Sequence, residues 1–389
     1  MTDGAYFEVL GRALREAGCW RPALVIDKIR LDANIDLVKQ RLQPGRPVRL
    51  ADKSLAVLPL LGHLMNRLQT NRIMSFHLPI ARAVLSAMPD AEILFGKPMP
   101  IGALQHSLAC MNSCEREDMS DRVVHLIDST TRLHAYADLA RNTGLRLRFA
   151  AEVDVGMHRG GFADPESLRD ALLSVAGDPM LKCEGLMGYE AHLSKIPRML
   201  GGADGERRKV VERFNAFVAV FDPADRTILN IGGSLTALGY GGESKANEVS
   251  MGSGFLQPTD FEGDELAGLL PALFIATPVL KIVEARLPGP RLLTQLMQKI
   301  GRFPNKGCFL YSGKWMAKPA WPADLRENSL WGASSNQQFF ALGTGSTLAE
   351  GDYAFLRPTQ SEAVLQQFGP LLVFENGHIT GQWQPLPLG

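Results

Sequence analysis

Arg49-Leu50-Ala51-Asp52-Lys53-Ser54 closes an apolar, strand-like run, and a helical pattern follows it at once. The same grammar returns along the first two thirds of the chain. Runs of β character stand at 71–76, 91–96, 122–128, 146–154, 183–190, 227–232 and 248–252, which with 48–53 makes eight. Between most of them lie stretches such as 80–88, 129–141, 165–175 and 206–220, whose apolar residues recur every three or four positions. Strands alternating with helices over roughly 200 residues predict a (β/α)8 TIM barrel, an α/β fold whose working groups sit at the carboxyl ends of the strands. Polar and glycine residues collect at those ends: Lys53 after the first run, 154–161 after the fifth, Tyr189 to His192 after the sixth, 232–234 after the seventh and 252–254 after the eighth. An amine in the position of Lys53 is well placed to form a Schiff base.

Composition narrows the classes that remain. The chain has 389 residues, 46% of them hydrophobic, and its 41 basic side chains balance 41 acidic ones. It can bury a large core, and it carries no charge bias toward nucleic acid or a membrane surface. No apolar stretch approaches the roughly 18 residues of a membrane span, and the start Met1-Thr2-Asp3-Gly4 lacks a basic segment followed by an apolar one. Five cysteines, Cys19, Cys110, Cys114, Cys183 and Cys308, form a sparse, odd set that suits a reducing compartment, the cytoplasm. Cys110 and Cys114 have no second cysteine or histidine pair to complete a tetrahedral zinc site.

After Gly263 the rhythm changes. Long alternating runs at 273–287 and 308–312, broken by Pro288-Gly289-Pro290, Pro304-Asn305-Lys306-Gly307 and the prolines Pro319 and Pro322, predict antiparallel strands and turns. The expected organisation is therefore a barrel over 30–262 and a second, antiparallel all-β domain made of 1–29 plus 263–389. An amphipathic helix carrying Phe7, Leu10 and Leu14 precedes the extended Pro22-Ala23-Leu24-Val25-Ile26-Asp27. It is expected to pack on that β domain or on the barrel's outer wall.

Six motifs occur in a familiar order: Pro22-Ala23-Leu24-Val25-Ile26-Asp27; Arg49 to Lys53-Ser54; Glu152-Val153-Asp154-Val155-Gly156-Met157-His158-Arg159; Gly185 to Tyr189-Glu190-Ala191-His192; Gly232-Gly233-Ser234; and Glu248 to Gly252-Ser253. Together they resemble the D-threonine aldolase and D-serine dehydratase family of alanine-racemase-like, type III pyridoxal-phosphate (PLP) enzymes, in particular its amino acid deaminase or aldolase branch. The resemblance implies a PLP Schiff base on Lys53, with burial beside Arg49 lowering the lysine's pKa. It places Arg159 near the pyridine nitrogen, with an ion pair to Glu152 or Asp154 as the plainer role, and Tyr189 close to the cofactor. Gly233, Ser234, Gly252, Ser253 and Gly254 then supply the phosphate site, where glycine lets backbone amides approach and serine adds a hydroxyl. His192 is the implied base for a substrate β-hydroxyl, with loop capping as its alternative. His158 is left without a role.

The chain departs from the family at the metal. Where the aldolases and dehydratases carry Pro-x-His-x-Asp/Cys, this sequence reads Arg357-Pro358-Thr359-Gln360-Ser361-Glu362, and a second segment reads Ser334-Ser335-Asn336-Gln337-Gln338. Neutral amides bind divalent ions weakly, so no metal is expected unless a site is rebuilt around Glu362. Gln338 and Gln360 become candidate substrate-binding residues, and Lys314, Arg357 or Gln337 could stand in for the cation. The resemblance thus implies a lyase, an aldolase or dehydratase, acting on a small D-3-hydroxy amino acid in D-amino acid metabolism. It also implies a homodimer in which a barrel meets the partner's β domain. A racemase is the alternative, with Tyr311 or Tyr353 as second proton donor. A non-catalytic PLP-binding protein is a third reading, and a barrel enzyme that uses no PLP a fourth.

Overall fold

The structure, a computed structural model, describes residues 3–197, Met199 and 202–386. Two compact units emerge. One takes the chain through Asn34, with Phe255–Glu262 and Leu269–Pro385; the other takes Ile35–Gly254, Gly263–Gly268 and the residues from Leu386. Helix α1 (Asp3–Glu16), strand β1 (Ala23–Asp27) and helix α2 (Lys28–Arg41) come first, and the division falls after Asn34, inside α2. A helix running through the boundary leaves no turn signal to read there.

In the second unit, β2 (Val48–Ala51), β3 (Arg72–Ser75), β4 (Glu92–Phe95), β5 (Val123–Ile127), β6 (Leu147–Val153), β7 (Leu181–Gly188), β8 (Ile228–Ile231) and β9 (Glu248–Met251) close into a barrel of eight strands. Every neighbouring pair is parallel. Each expected run overlaps one of these strands. Parallel strands covered on both faces read as continuous apolar runs, as β5 does with all five residues buried. Inward-facing Met74, Leu94, Val124, Leu126, Ala150, Met187 and Ile228 fill the barrel. Helices α3 (Leu58–Leu68), α4 (Leu78–Ala87), α5 (Ile101–Ala109), α6 (Ser113–Asp121), α7 (Thr130–Thr143), α8 (Pro165–Ser174) and α9 (Gly202–Val218) connect the strands. Their starts follow local chemistry: the Ser129 side chain caps α7, Asp164 caps α8 ahead of Pro165, and Asn112 and Glu115 form a capping box on α6. His125, on β5, stacks on Phe95 and meets Tyr136 edge-on, wholly buried, and burial pulls its pKa down to about 4. It is a neutral core residue.

The first unit is a nine-stranded sheet. To β1 it adds β10 (Leu273–Glu284), β11 (Lys306–Tyr311), β12 (Ala317–Trp321), β13 (Arg326–Glu327), β14 (Gln337–Leu342), β15 (Tyr353–Pro358), β16 (Leu371–Glu375) and β17 (His378–Trp383). The main path runs β13-β14-β11-β10-β1-β16-β17, with β15 pairing both β10 and β12. The pairing is antiparallel as expected, except that β1 and β16 run parallel. The expectation of an all-β unit needs one further correction, because α10 (Arg291–Lys299) starts directly after Pro290. Proline just outside a helix start gives up no hydrogen bond, so the Pro288-Gly289-Pro290 signal marks a helix start as well as a turn. Helix α1 resolves its own alternative: Tyr6, Phe7, Leu10 and Leu14 pack into one apolar cluster with Phe274, Phe355 and Phe374 of the sheet.

Candidate functional site at the carboxyl end of the barrel

Strand β2 ends at Ala51, and Asp52–Ser54 form a single 3-10 turn in which Asp52 and Ser54 are buried while Lys53 is exposed. Burial pushes the Asp52 carboxyl up to about 7, against the pull of the Ser75 hydroxyl and the amides of Phe76 and Lys53. The Lys53 ammonium lies 4.9 Å from the centre of the Phe76 ring. Arg49 does not serve Lys53 as expected. It is 1% exposed and pairs bidentately with Glu248 at 2.6 and 2.9 Å, and it also donates to the carbonyls of Ile73 and Glu92. Arg72 and Asn230 complete the shell of Glu248, at 2.7 Å each. The charge of Arg49 is thus spent at the amino-terminal end of the strands.

The two glycine loops are stitched together by one side chain. The Ser234 hydroxyl accepts hydrogen bonds from the amides of Gly252 and Gly254, at 3.1 and 3.0 Å. With both acceptor positions filled, its own O–H has to be donated elsewhere, which suits a phosphate oxygen. A Cβ on Gly252 would stand 3.0 Å from the Ala51 side chain and 3.1 Å from that of Ser54, so this loop lies against the Lys53 turn. A Cβ on Gly233 would meet the Tyr189 ring at 2.8 Å. Arg159 in turn lies over the Tyr189 ring, 4.8 Å from its centre. A continuous line of neighbours therefore runs from Lys53 through Gly252, Ser234, Gly233 and Tyr189 to Arg159. Ser253, 1% exposed, lies within the same loop. An accessible amine beside a cramped glycine loop and a hydroxyl with its proton left to donate fit a phosphorylated aldehyde.

Arg159 also keeps the plainer partner foreseen for it, Glu152, at a loose 3.8 Å with the arginine half exposed. Burial raises the pKa of Glu152, and Arg159 opposes the rise. Gly161 is obligatory in this loop: at φ +91° an added Cβ would lie 2.7 Å from the Glu152 carbonyl. Asp154 organises the rest by accepting from the amides of Gly156 and His158 and pairing with the His158 ring at 2.7 Å. Burial works to raise the Asp154 pKa, but these bonds hold it below the ordinary carboxylate range. His158 thus acquires a partner, with its ring largely exposed.

His192 has different company. Both of its ring nitrogens are shielded from solvent without a hydrogen bond, the nearest carboxylate is Glu206 at 3.9 Å, and a Cβ on Gly156 would lie 3.5 Å from Nε2. Burial lowers its pKa, so the ring is neutral at pH 7.

In the sheet unit, Gln338 is 8% exposed and accepts from the Lys314 amide at 2.5 Å, holding a turn in which Ser312, Gly313 and Lys314 all have positive φ. Gln360 donates to Asp260 at 3.1 Å. Arg357 is bound by Glu262 and Gln257. Tyr353 is 3% exposed and donates to the Cys19 carbonyl, whereas Tyr311 is 43% exposed. Among the described residues, no three His, Cys, Asp or Glu side chains are placed to hold a metal ion, and no helix is long and apolar enough to cross a membrane.

Sequence reasoning passed over Glu190 and Thr236. The wholly buried Glu190 carboxylate takes the Thr236 hydroxyl at 2.6 Å and the Gly232 amide at 3.3 Å, and Thr236 Oγ1 takes the Gly233 amide at 3.0 Å. The amide of Gly233, expected to face a phosphate, is therefore turned onto this pair together with that of Gly232, and the amides of Gly252 and Gly254, expected there as well, are taken by Ser234. The signal was a carboxylate directly beyond an apolar strand, between Tyr189 and His192.

Together, fold and site define a β/α-barrel protein with an accessible lysine and glycine loops at the strands' carboxyl ends, joined in sequence to a mainly antiparallel sheet unit. The chain belongs to the alanine racemase N-terminal domain family, which matches residues 26–257. No curated protein matches it. Among solved structures it is similar to D-threonine aldolase from Filomicrobium marinum, at 14% identity over 94% of this chain and 96% of that one, with a TM-score of 0.70. D-threo-3-hydroxyaspartate dehydratase from Delftia sp. HT23 follows at 18% identity, covering 94% and 97% of the two chains, with a TM-score of 0.69. Alanine racemase from Bacillus anthracis gives 14%, 94% and 98%, with 0.68. Identities this low establish a shared fold.

Proposed function

We propose that this chain is a PLP-dependent lyase, an aldolase or dehydratase, that acts on a D-configured 3-hydroxy amino acid with Lys53 as the attachment point. The observation that carries the reading is the unbroken line from the accessible Lys53 through Gly252, Ser234, Gly233 and Tyr189 to Arg159. Kinship with a D-threonine aldolase and a D-3-hydroxyaspartate dehydratase supports the substrate class. The cofactor's contribution there is electron withdrawal from the substrate Cα. This chain's residues do the rest. Lys53 would supply the amine, Ser234 would donate to the phosphate, and Tyr189, with Arg159 over its own ring, would border the cofactor. A guanidinium donates and cannot accept, so beside a pyridine nitrogen Arg159 would favour the unprotonated ring and moderate electron withdrawal. His192, neutral at pH 7, is the proposed acceptor for the β-hydroxyl proton and must turn a shielded nitrogen toward the substrate to act. We propose a homodimer as the working form.

The test begins with an absorbance scan. A yellow band that borohydride discharges, with the pyridoxyl group mapped to Lys53 and lost in Lys53→Ala, is expected. A label on another lysine, or none, overturns the assignment. Panels of D- and L-3-hydroxy amino acids then separate glycine plus aldehyde from 2-oxo acid plus ammonia. Loss of optical rotation without either product would identify a racemase, a reading in which Tyr311 or Tyr353 would be the second donor.

A further inference from the structure

A loop beginning with two glycines has much conformational freedom to lose, and something must hold it in one shape. In the loop 232–236 that support comes from Glu190. Its carboxylate bridges the Gly232 amide and the Thr236 hydroxyl, and Thr236 passes the constraint on to the Gly233 amide. Thr236 and Ala237 also donate their backbone amides to the Gly233 carbonyl, at 2.9 and 2.8 Å, closing the turn around Ser234. Glu190 is completely buried, and the other polar groups facing it are Tyr240 and the guanidinium of Arg207, which is itself paired with Glu265. Without its ties to the loop, so buried a carboxyl would be a net cost to the fold.

We infer that Glu190 and Thr236 form a positioning pair that fixes the loop 232–236 so that Ser234 binds a phosphate, and that the pair thereby sets the preference for a phosphorylated cofactor. The inference rests on the proposed PLP site. Glu190 touches no reacting atom. It acts through Thr236 on Gly233 and so on the neighbouring Ser234, whose hydroxyl must reach the amides of both Gly252 and Gly254. Burial pushes the Glu190 carboxyl up to about 7, against the pull of Thr236, Tyr240 and the Gly232 amide.

The experiment compares the affinity of apoprotein for PLP and for pyridoxal, which lacks the phosphate, in wild type, Thr236→Val, Thr236→Ser, Glu190→Ala and Glu190→Gln. Thr236→Val keeps the shape but removes the hydroxyl, leaving the buried Glu190 oxygen and the half-buried Gly233 amide without their partner. It and Glu190→Ala should weaken PLP binding about tenfold or more, the usual scale for orphaning a buried polar group, with pyridoxal changed less than about threefold. Thr236→Ser restores the hydroxyl and should stay near wild type, whereas Glu190→Gln keeps one of the two acceptor oxygens and should fall between wild type and Glu190→Ala. Equal losses for PLP and pyridoxal, or no loss in either disruptive variant, overturn the inference. Should those variants fail to fold, hydrogen exchange of wild type loaded with PLP against wild type loaded with pyridoxal decides. Joint slowing in peptides covering 188–192 and 232–237 with PLP alone is expected, and its absence overturns the pairing. Wild type that takes up neither compound overturns the cofactor reading itself.

Discussion

Glu248→Ala is the substitution whose cost the structure states most directly. The carboxylate is completely buried and receives four N–H bonds, two from Arg49 at 2.6 and 2.9 Å and one each from Arg72 and Asn230 at 2.7 Å. Arg49, 1% exposed, cannot turn to water when its partner goes. Removing one side of such a pair costs about 3–5 kcal/mol, because a buried charge is left uncompensated, and the orphaned Asn230 amide adds about 1 kcal/mol. A loss of about 4–6 kcal/mol is a large share of the usual 5–15 kcal/mol of a folded domain, and at about 2–4 °C per kcal/mol it should lower Tm by about 8–24 °C. Replacing both partners, Arg49→Met with Glu248→Leu, should recover much of the loss, since the desolvation of both charges goes with them. The sign with pH follows from linkage. Arg49 and the other donors overcome burial and hold Glu248 below its ordinary 4.5 in the folded state, so its contribution is present above pH 4.5 and lost as pH falls through the folded value. Urea titrations followed by circular dichroism at pH 7 and at pH 3 measure the gap between wild type and Glu248→Ala. A gap under about 1 kcal/mol at pH 7, or one of equal size at both pH values, would refute this account of the barrel's closed end.

His192→Asn should retain PLP and lower turnover by about 10² to 10⁴, the range of a general base; turnover within a few-fold of wild type would make the ring structural. His158→Asn in parallel shows whether the exposed His158, paired with Asp154, does that work instead. Activity should survive exhaustive chelation, because the amides at Asn336, Gln337, Gln338 and Gln360 supply oxygens but little charge. Stoichiometric metal by elemental analysis, with activity lost to EDTA and restored by one ion, would show a rebuilt site. Gly161→Ala should cost about 2 kcal/mol or more and loosen the loop bearing Arg159, since its Cβ would meet the Glu152 carbonyl at 2.7 Å. Unchanged stability in urea would mean that this loop yields freely.

The sequence by itself determined the barrel, because its signals are local and repeated. Apolar runs such as Val123–Ile127 alternate with 3.6-period stretches such as Thr130–Thr143, and the polar ends of those runs name the functional face. It also determined Lys53 and the glycine loops as candidates, since residue type and place in the alternation carry that information. The wider line of motifs made PLP the implied ligand. Which side chains support the candidates was not legible, because it depends on where side chains of distant elements point. Arg49 lies four positions before Lys53, yet its charge is consumed by Glu248, a partner 199 residues away. Thr236 and Glu190 meet across 46 residues, and no local pattern announces that a threonine hydroxyl will close on a buried carboxylate. Gln338, chosen for its amide, spends that amide's oxygen on the backbone of Lys314. Periodicity encodes which face of an element is buried; only the tertiary structure decides which polar group is buried against which, because hydrogen bonds are set by distances of an ångström that sequence spacing does not contain.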